Sequence, residues 1–515
     1  MHHSLPLLSS IGTRVLEIPI NCTALYIFSV QIPNPQIYSK YCSCTSAPPL
    51  SISSHQMMQF GESAPPPSPP LINLNGQGLR LDLTAPKAPL HRPRPWTGFP
   101  ISAKSLGSFN TGSCMEQLLF HCANAIEVND ATLAQQLIWV LHNIAPPDGD
   151  SNQRLTAAFL HALIARASKT GSCKMLAVAA ARADADLALH AHRFSAVDLV
   201  SFVDLTPWHR FGYSAANAAI TEAVEGFPVI HIVDLSTTHC MQIPTLIDLL
   251  ASRPEGPPIL RLTIPSPATT ITTPPPILDL SYDELGAKLV HFARSRNVAM
   301  EFRVIPSNPC DAFDTLIEQL RVQQLVSDGS EALIVNCQMM LHYIPDETAG
   351  AISYTMSMTS STSLRSAFLK VLRSLQPALV TLVDEDADFT ASDVVGRLRS
   401  AFNYLWIPYD AVDTFLPKES EQRRWYEAGV RWKIENVIAH EGMQRVERLE
   451  PKGRWAQRMR AAGFRGVGFS EDAVGEVKGM LEEHSAGWGL KREEEDFVLT
   501  WKGHNVVFAT AWVPS

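Results

Sequence analysis

Apolar side chains recur at three- and four-residue spacing through residues 114–225, which is the period of an α-helix with one buried side. Ser113 and Glu116 are spaced as a capping box that begins the first helix, and Asp130 is placed to cap the second. The apolar positions of the first three helices are Leu118, Leu119, Cys122, Ile126, Leu133, Leu137, Val140, Leu141, Ile144, Leu155, Phe159, Leu160 and Leu163. The pattern therefore predicts a helical block rather than a series of strand–helix units.

From residue 226 the pattern changes to short runs that are apolar at nearly every position, separated by stretches with helical spacing. The runs are "PVIHIVDL", "ILRLTI", "VAMEFRVI", "ALIVNC" and "ALVTLVD". Such runs are typical of parallel strands that helices cover on both faces. Between them "QIPTLIDLLAS" is predicted to be a helix, and Ser281 with Glu284 forms a capping box that opens another.

The end of the chain has a different pattern, because "DFVLTWKG" and "NVVFATAW" are separated by almost no residues. A connection this short can join only antiparallel strands. We therefore predict an α/β fold, in which a doubly wound, Rossmann-like sheet of the methyltransferase type carries about five parallel strands and a C-terminal antiparallel hairpin. The helical block precedes this sheet in the chain.

Residues 1–113 have another composition, since "SAPPPSPP" and "APKAPLHRPRPWTGFP" are Pro-rich and carry few periodic apolar positions. Such a segment buries too little apolar surface to offset its ordering entropy, so we expect residues 1–113 to be disordered. Residues 1–56 resemble neither the Pro-rich part nor the remainder of the chain. Met57 and Met58 are therefore alternative starts of translation, which would make the upstream part a gene-model extension.

Charge and cysteine content narrow the functional classes. The formal net charge is −9, and residues 114–515 alone carry −13, so the molecule as a whole is unsuited to non-specific binding of polyanions, although a local basic face is compatible with this balance. Nine cysteines at irregular spacing, without a C-x-x-C pair, indicate reduced thiols in the cytosol or nucleus and argue against a structural zinc site. No apolar run reaches the roughly 18 residues of a spanning helix, so no membrane association is expected.

The turn after the first apolar run is where a nucleotide-binding α/β protein holds its cofactor, usually with glycines and with an acid after the next strand. Here Leu235–Cys240 contains no glycine, Thr237 and Thr238 disfavour a positive φ, and no acid ends the next strand. We therefore predict no bound cofactor, with Asp234 hydrogen-bonded at the strand end and His231 a satisfied core histidine. An S-adenosylmethionine-dependent enzyme is the alternative.

The helix that follows this turn contains an L-x-x-L-L pattern formed by Leu246, Leu249 and Leu250. On an exposed helix these leucines could dock in the groove of a partner protein. On a helix that covers a sheet they would instead form the core-facing stripe, which is the interpretation that the preceding buried strand favours. His239 and Cys240 are adjacent in sequence, but adjacency alone makes neither a nucleophilic pair nor a metal site.

Residues 418–465 are the most basic stretch, with twelve Lys and Arg against seven Glu. The candidate phosphate-binding residues are Arg423, Arg424, Arg431 and Arg454. The aromatic residues interleaved with the basic ones are Trp425, Tyr426, Trp432 and Trp455. The alternative is a solvated helix face with i,i+4 pairs such as Glu427–Arg431.

Three tryptophans near the end of the chain, Trp488, Trp501 and Trp512, are large apolar anchors. Trp501 and Trp512 lie in the predicted hairpin. We therefore expect a structural role for them and collapse of the sheet on truncation.

Several long blocks in order resemble the plant GRAS family, over roughly residues 114–515. "VIHIVDL" resembles the family's Val-His-Ile-Ile-Asp motif, with Val233 in place of the second Ile; the motif positions are Val229, His231, Ile232 and Asp234. "NVIAHEG" and "RVERLE" are similar to the block named for Pro-Phe-Tyr-Arg-Glu, and residues 487–512 resemble the terminal Ser-Ala-Trp block, here Thr-Ala-Trp. "LTPWHRFGYSAANAAI" is similar to the scarecrow-like branch.

This resemblance implies a nuclear, plant-specific transcriptional regulator that acts on development through other proteins. It implies a domain over residues 114–515, with a mainly helical cap at 114–225 and an α/β core at 226–515 that contributes helices near 395–440 to the cap. It further implies zinc-finger or other GRAS proteins as partners, as a homodimer or heterodimer, and direct DNA binding in some members. A pure protein-interaction scaffold without DNA contact is a second alternative.

Overall fold

The computed structural model describes residues 112–169, 193–266, 274–325, 330–349 and 363–515. The predictions for the N-terminal Pro-rich region, its disorder and its start of translation, fall outside these ranges. Within them, no helix combines the length and the apolar character that crossing a bilayer requires.

The α-helices of the described ranges begin and end as follows: α1 Gly112–Glu127, α2 Ala131–Ile144, α3 Ser151–Lys169, α4 Ala196–Asp204, α5 Pro207–Ala223, α6 Ile243–Ala251, α7 Tyr282–Ser295, α8 Asp314–Gln324, α9 Leu364–Ser374, α10 Val394–Asp413, α11 Glu421–Ala439, α12 Lys452–Ala461 and α13 Glu471–Glu482. The strands are β1 Arg193–Phe194, β2 Val229–Ser236, β3 Ile259–Ser266, β4 Ile277–Leu278, β5 Ala299–Pro306, β6 Glu331–Gln338, β7 Leu379–Glu385, β8 Phe464–Val467, β9 Trp488–Glu493, β10 Asp496–Trp501 and β11 His504–Pro514. Short 3₁₀ turns lie at Pro309–Asp311, Leu341–Tyr343 and Gly442–Gln444.

The large sheet has the order β5-β3-β2-β6-β7-β11-β10-β9, with β8 paired to the end of β11. The first five strands are mutually parallel. β11 runs antiparallel to both β7 and β10, and β9 runs antiparallel to β10. The five parallel strands and the terminal hairpin predicted from the apolar runs are therefore present, and a small parallel pair, β1 with β4, lies outside the sheet.

Alternate residues of each central strand enter two hydrophobic clusters. In β2, Ile230 and Ile232 belong to the larger cluster, whereas Val233 and Leu235 belong to the smaller one. The larger cluster includes residues of α1–α7, α10, α11 and α13, and the smaller includes residues of α8, α9 and α12. The sheet is thus buried on both faces, which explains why its parallel strands are apolar at nearly every position.

We call α1, α2, α3, α10 and α11 the helical layer, because α3 packs against each of the other four. A buried guanidinium joins three of its helices: Arg154 of α3 lies 2.8 Å from Asp413 of α10 and 3.1 Å from Glu427 of α11. A buried ion pair of this kind is costly to break, by about 3–5 kcal/mol, because the remaining partner stays charged and unpaired. The helices are therefore locked together electrostatically as well as by apolar packing.

Two of the three predicted helix starts are confirmed. Asp130 caps α2 by accepting from the Leu133 amide at 3.0 Å, and Ser281 with Glu284 forms the full capping box of α7. The capping box predicted at Ser113 is wrong, because α1 already includes Gly112 and so places Ser113 inside the helix. The spacing S-x-x-E marks a helix start but does not fix which residue occupies the cap.

Helix α5 lies directly on the sheet, and Gly212 is the point of closest approach. A Cβ added at Gly212 would lie 2.5 Å from Gln338 Oε1 and 2.7 Å from Val383 Cγ1. Carbon atoms do not approach other atoms this closely without displacement, so a larger residue would push α5 off the strands. The absent side chain thus sets how closely α5 packs on β6 and β7.

We predict that Gly212→Ala lowers the free energy of unfolding by about 1–3 kcal/mol through overpacking. The matched control is Gly429→Ala in α11, where an added Cβ meets no atom within 4 Å. Because alanine favours a helix over glycine, the control should raise stability by up to about 1 kcal/mol. Urea unfolding midpoints of both variants test this, and equal shifts would contradict the close-packing argument.

Candidate functional site

The carboxyl ends of β2, β3, β5 and β6 meet at one edge of the sheet, where open α/β sheets place their ligands. The turn after β2 adopts a positive φ at His239 (50°) and Cys240 (63°). Thr237 and Thr238 do not share this conformation, as their β-branched side chains predict. A left-handed turn is therefore present although the sequence offers no glycine for it.

Asp234 lies inside a buried hydrogen-bond network at this edge. Asn336 Nδ2 donates to Asp234 Oδ1 at 2.7 Å and to Gln242 Oε1 at 2.9 Å, while Ser236 donates to Asp234 Oδ2 at 2.7 Å. Burial raises the pKa of Asp234, and the hydrogen bonds from Ser236 and Asn336 oppose the rise. The carboxylate thus bonds to its own strand neighbours, as the sequence predicted for this aspartate.

The network extends across three strands and two helices. Thr381 of β7 donates to Asn336 Oδ1 at 2.8 Å, and Gln242 donates to Asn217 Oδ1 of α5 at 2.9 Å. Gln338 Nε2 donates to the Gly212 carbonyl at 3.3 Å. We call these residues the strand-end network: Asn217, Asp234, Gln242, Asn336, Gln338 and Thr381.

His231 behaves as a core residue, as its apolar strand predicts. It is 3% exposed, its Nε2 lies 2.8 Å from Thr263 Oγ1, and its Nδ1 lies 3.2 Å from Glu331 Oε1. The His231 hydrogen bond lowers the pKa of Glu331, helped by Arg261. Both ring nitrogens of His231 therefore have partners, because Nδ1 also lies 3.4 Å from Gln323 Nε2 of α8.

The docking interpretation of the L-x-x-L-L pattern is wrong. Leu246 and Leu250 are 0% exposed and belong to the larger hydrophobic cluster, and Leu249 alone is 38% exposed. A docking helix must offer all its leucines to the partner at once. The pattern is instead the core-facing stripe of α6.

The basic stretch is divided between the interior and the surface: three of its twelve Lys and Arg are buried, four are half-buried and five are exposed. Arg423 is 4% exposed and pairs with Asp413 and, at 3.1 Å, with Glu427. Its prediction as a phosphate contact is wrong, because its guanidinium is already buried against carboxylates. Glu427 pairs with Arg423 and Arg154, so the expected i,i+4 pair with Arg431 does not describe its main contacts.

The remaining candidate arginines do not form one surface. Arg424 is exposed and Arg431 half-buried on α11, and Glu427 and Ala428, which lie between them on the same side of the helix, are buried. Arg454 is exposed on α12, where it donates to Thr390 Oγ1 at 2.9 Å. Helix α12 packs in the smaller hydrophobic cluster, whereas α11 packs in the larger, so the sheet separates them.

Sequence reasoning missed a buried charge cluster at the end of β7. His342 Nδ1 lies 2.8 Å from Asp384 Oδ1, and Glu447 Oε2 lies 3.5 Å from His342 Nε2 and 3.4 Å from Lys433 Nζ. Lys433 Nζ also lies 2.5 Å from Glu385 Oε2. The acidic run after "LVTLV" was the available signal, but its basic partners come from distant segments.

The pKa values of this cluster follow from mutual stabilisation. Burial alone would lower the pKa of His342, but Asp384 and Glu447 outweigh it and raise the value to about 9. Burial would raise the pKa of Glu447, but Lys433 and His342 lower it to about 2. His342 and Glu447 are therefore both charged at neutral pH.

The segment that follows α11 supplies further buried pairs. Arg365 Nη1 and Glu450 Oε1 lie 2.9 Å apart with both side chains 0% exposed, and Arg448 Nη1 lies 2.8 Å from Asp346 Oδ1. Arg365 also donates to the carbonyls of His342 and Ile344. The charged residues of "RVERLE" thus link the segment after α11 to α9 and to the segment after β6.

Of the three predicted anchor tryptophans, Trp501 and Trp512 are fully buried and Trp488 is half-buried. Of the aromatic residues in the basic stretch, Trp455 is fully buried, Tyr426 is buried and Trp425 is half-buried. Trp501 Nε1 donates to Asp410 Oδ2 at 2.7 Å and Trp512 Nε1 to Thr510 Oγ1 at 2.8 Å. The first contact ties β10 to α10, and the second lies within β11. Among the residues that the structure describes, no group of three His, Cys, Asp or Glu side chains is placed to hold a metal ion.

We predict that His342 makes stability depend on alkaline pH. Its folded pKa of about 9 exceeds the ordinary 6.5, so its contribution is complete below pH 6.5 and disappears as the pH rises through 9. Wild type should therefore lose on the order of a few kcal/mol between about pH 6 and about pH 10.

Urea unfolding across this pH range, in wild type and His342→Gln, measures the effect. The variant should be less stable at the lower pH and should show a smaller loss toward the higher pH. His121→Gln, at an exposed position of α1, is the control and should keep the wild-type slope. Parallel curves for wild type and His342→Gln would contradict the assignment.

Comparison with known proteins gives a consistent result. Residues 115–513 match the GRAS domain family. "Scarecrow-like protein 32" of Arabidopsis thaliana is 57% identical over 422 residues, which are 81% of this chain and 98% of that protein. "Protein SHORT-ROOT" of Arabidopsis thaliana is 30% identical over 411 residues, 78% of this chain and 73% of that protein.

A solved structure shows the same fold. The crystal structure of SCL7 from Oryza sativa superposes with a TM-score of 0.60 at 24% identity, covering 77% of this chain and 99% of that one. The match to the family over most of the chain and the high identity to a scarecrow-like relative agree with the ordered motifs found in the sequence. The chain therefore belongs to the GRAS domain family.

Proposed function

We propose that this protein is a non-catalytic transcriptional regulator of plant development that acts in the nucleus by binding other regulators. The observation that carries the proposal is family membership over residues 115–513. The partners that we propose are zinc-finger proteins and other GRAS proteins, including a second copy of this chain. In this view the fold supplies a rigid frame for docking, and DNA contact is secondary.

The geometry supports a frame rather than an enzyme. We propose that the sheet is Rossmann-like, of the methyltransferase type, and that the helical layer is its cap, contributed by residues 114–225 and by helices near 395–440. The contacts of α3 with α10 and α11 support this division. The turn after β2 has no glycine, and no acid ends β3, where such an enzyme would bind the ribose; both features disfavour the S-adenosylmethionine-dependent alternative.

The helical layer presents an exposed aromatic residue that suits docking. Trp139 of α2 is 70% exposed, whereas large aromatic side chains are usually covered in a folded chain. The residues around it on the same side, Gln135, Gln136, His142 and Asn143, are polar and exposed. Tryptophan surrounded by polar groups is the composition of an interface hot spot with its rim.

We predict that Trp139→Ala weakens binding to a second GRAS-domain protein at least about tenfold, because truncating a hot-spot aromatic costs upwards of about 1.4 kcal/mol. The urea midpoint should stay unchanged, since the side chain is exposed in the free protein. Gln136→Ala, one turn away, is the control and should bind as wild type. Calorimetric titration measures both, and equal affinity of wild type and Trp139→Ala would remove α2 from the proposal.

Direct DNA contact is a narrower part of the proposal and rests on Arg424 and Arg454, whose side chains are exposed. Each phosphate that a guanidinium neutralises adds roughly 0.9 to the slope of log affinity against log salt. Because the sheet separates their helices, we expect them to contact separate stretches of DNA backbone or partner rather than one groove.

We predict that combining Arg424→Ala with Arg454→Ala weakens binding to a selected DNA duplex and lowers the salt slope by up to about 1.8. Lys478→Ala, an exposed charge on α13, is the control and should leave the slope unchanged. The measurement is fluorescence anisotropy over a salt series, with and without a zinc-finger partner. Salt-independent, unchanged binding in the double variant would leave the scaffold without DNA contact as the better description.

A further inference from the structure

A pocket of about 120 Å³ lies at the carboxyl edge of the sheet, beside the strand-end network. Its walls come from the carboxyl ends of β2 and β3 and from residues that follow β2, β5 and β6, with Tyr282 of α7 on one side. Openings at this position of a parallel sheet are the usual place for a bound small molecule. The proposed regulatory function does not use this pocket.

The walls are mostly apolar, with a few polar atoms. The side chains on which the following argument depends are His239, Cys240, Tyr282, Cys310, Phe313 and Met340. Among the lining residues that the structure describes, none is Lys or Arg, and the one carboxylate, Asp234, is engaged in the strand-end network. A ligand with a formal charge would therefore find no opposite charge to pair with, and its desolvation would be uncompensated.

The polar side chains of the pocket are themselves held neutral. Burial lowers the pKa of His239, which keeps the imidazole uncharged, and burial raises the pKa values of Cys240, Tyr282 and Cys310. They can donate or accept hydrogen bonds without presenting a charge. The chemistry of the walls is thus apolar with neutral hydrogen-bonding groups.

The backbone around the pocket is unusual. Non-glycine residues adopt a positive φ at His239 and Cys240 after β2, at Ala312 and Phe313 after β5, and at Met339 after β6. Each such residue costs of order 1 kcal/mol or more, and these conformations concentrate where a fold shapes a site. The clustering of these residues around one pocket indicates that the loops keep the pocket open.

We propose that this strand-end pocket binds a small, uncharged and largely apolar molecule that carries one hydrogen-bonding group. Its size is close to that of an apolar cavity of about 150 Å³ that accepts benzene, so the ligand corresponds to a singly substituted six-membered ring. The ring lies against Phe313, Met340 and Tyr282, and its polar group faces His239 or Cys310. S-adenosylmethionine and nucleotides are excluded by their charges as well as by their size.

Phenol tests the proposal, with benzoate as a charged probe of similar size. In the full chain, phenol at about ten times its dissociation constant should raise the thermal midpoint by roughly 2 °C, and benzoate should not. Phenol should also slow alkylation of the half-buried Cys310 by iodoacetamide, followed by peptide mass spectrometry. Cys114, a half-buried thiol on α1, is the internal control and should react at an unchanged rate.

Two variants locate the site. Cys310→Trp fills the pocket and should abolish the phenol-dependent midpoint shift, while Cys310→Ser keeps its volume and should retain the shift. The protection of wild-type Cys310 needs no variant, so the test stands if Cys310→Trp does not fold. Equal effects of phenol and benzoate, equal shifts in all three proteins, or unprotected Cys310 would each overturn the proposal.

Discussion

The amide of Asn336 is the contact on which the centre of the molecule depends. It lies in β6 between β2 and β7, donates to Asp234 and Gln242, and accepts from Thr381. A buried polar network is favourable only when every member is satisfied, so these strands cannot shift register without leaving several groups unpaired. The network therefore fixes the strand ends, and through them the place where α5 can pack and the pocket beside it can stay open.

The same rule governs the charges. Arginine is usually a surface residue, yet four arginines are each buried against a carboxylate: Arg154, Arg365, Arg423 and Arg448. Apart from the Arg423–Glu427 pair within α11, their carboxylate partners lie on other helices or loops, so these pairs determine which elements pack together as well as how strongly. In a chain with net negative charge, a basic stretch can thus supply buried ion pairs as well as surface charge, and its exposed cations are dispersed over several elements.

The fold was predictable because its signals are local. Each signal depends on residues that are close together in the sequence. These signals are the five runs that are apolar at nearly every position, the C-terminal hairpin and the S-x-x-E spacing before α7, and the structure contains the corresponding elements. The surroundings of the candidate site residues were not predictable, because adjacent residues of the same type can face different neighbours. Arg423 faces the carboxylates of Asp413 and Glu427, whereas Arg424 is exposed. Arg154 meets Glu427 across 273 positions, and His342 meets Asp384 across 42. No spacing of residues in the sequence indicates these pairs or the left-handed turn at His239.

The strand order has a consequence for how the chain unfolds. β7 and β11 are neighbours in the sheet, and the chain between them contains α10 and α11, two members of the helical layer. Pairing of β7 with β11 therefore closes a loop that contains both helices, and Tyr404 of α10 is tied to β11 because its hydroxyl donates to the Val506 carbonyl at 2.6 Å. We therefore expect the helical layer and the sheet to unfold as one cooperative unit, so that a substitution that destabilises either should unfold both.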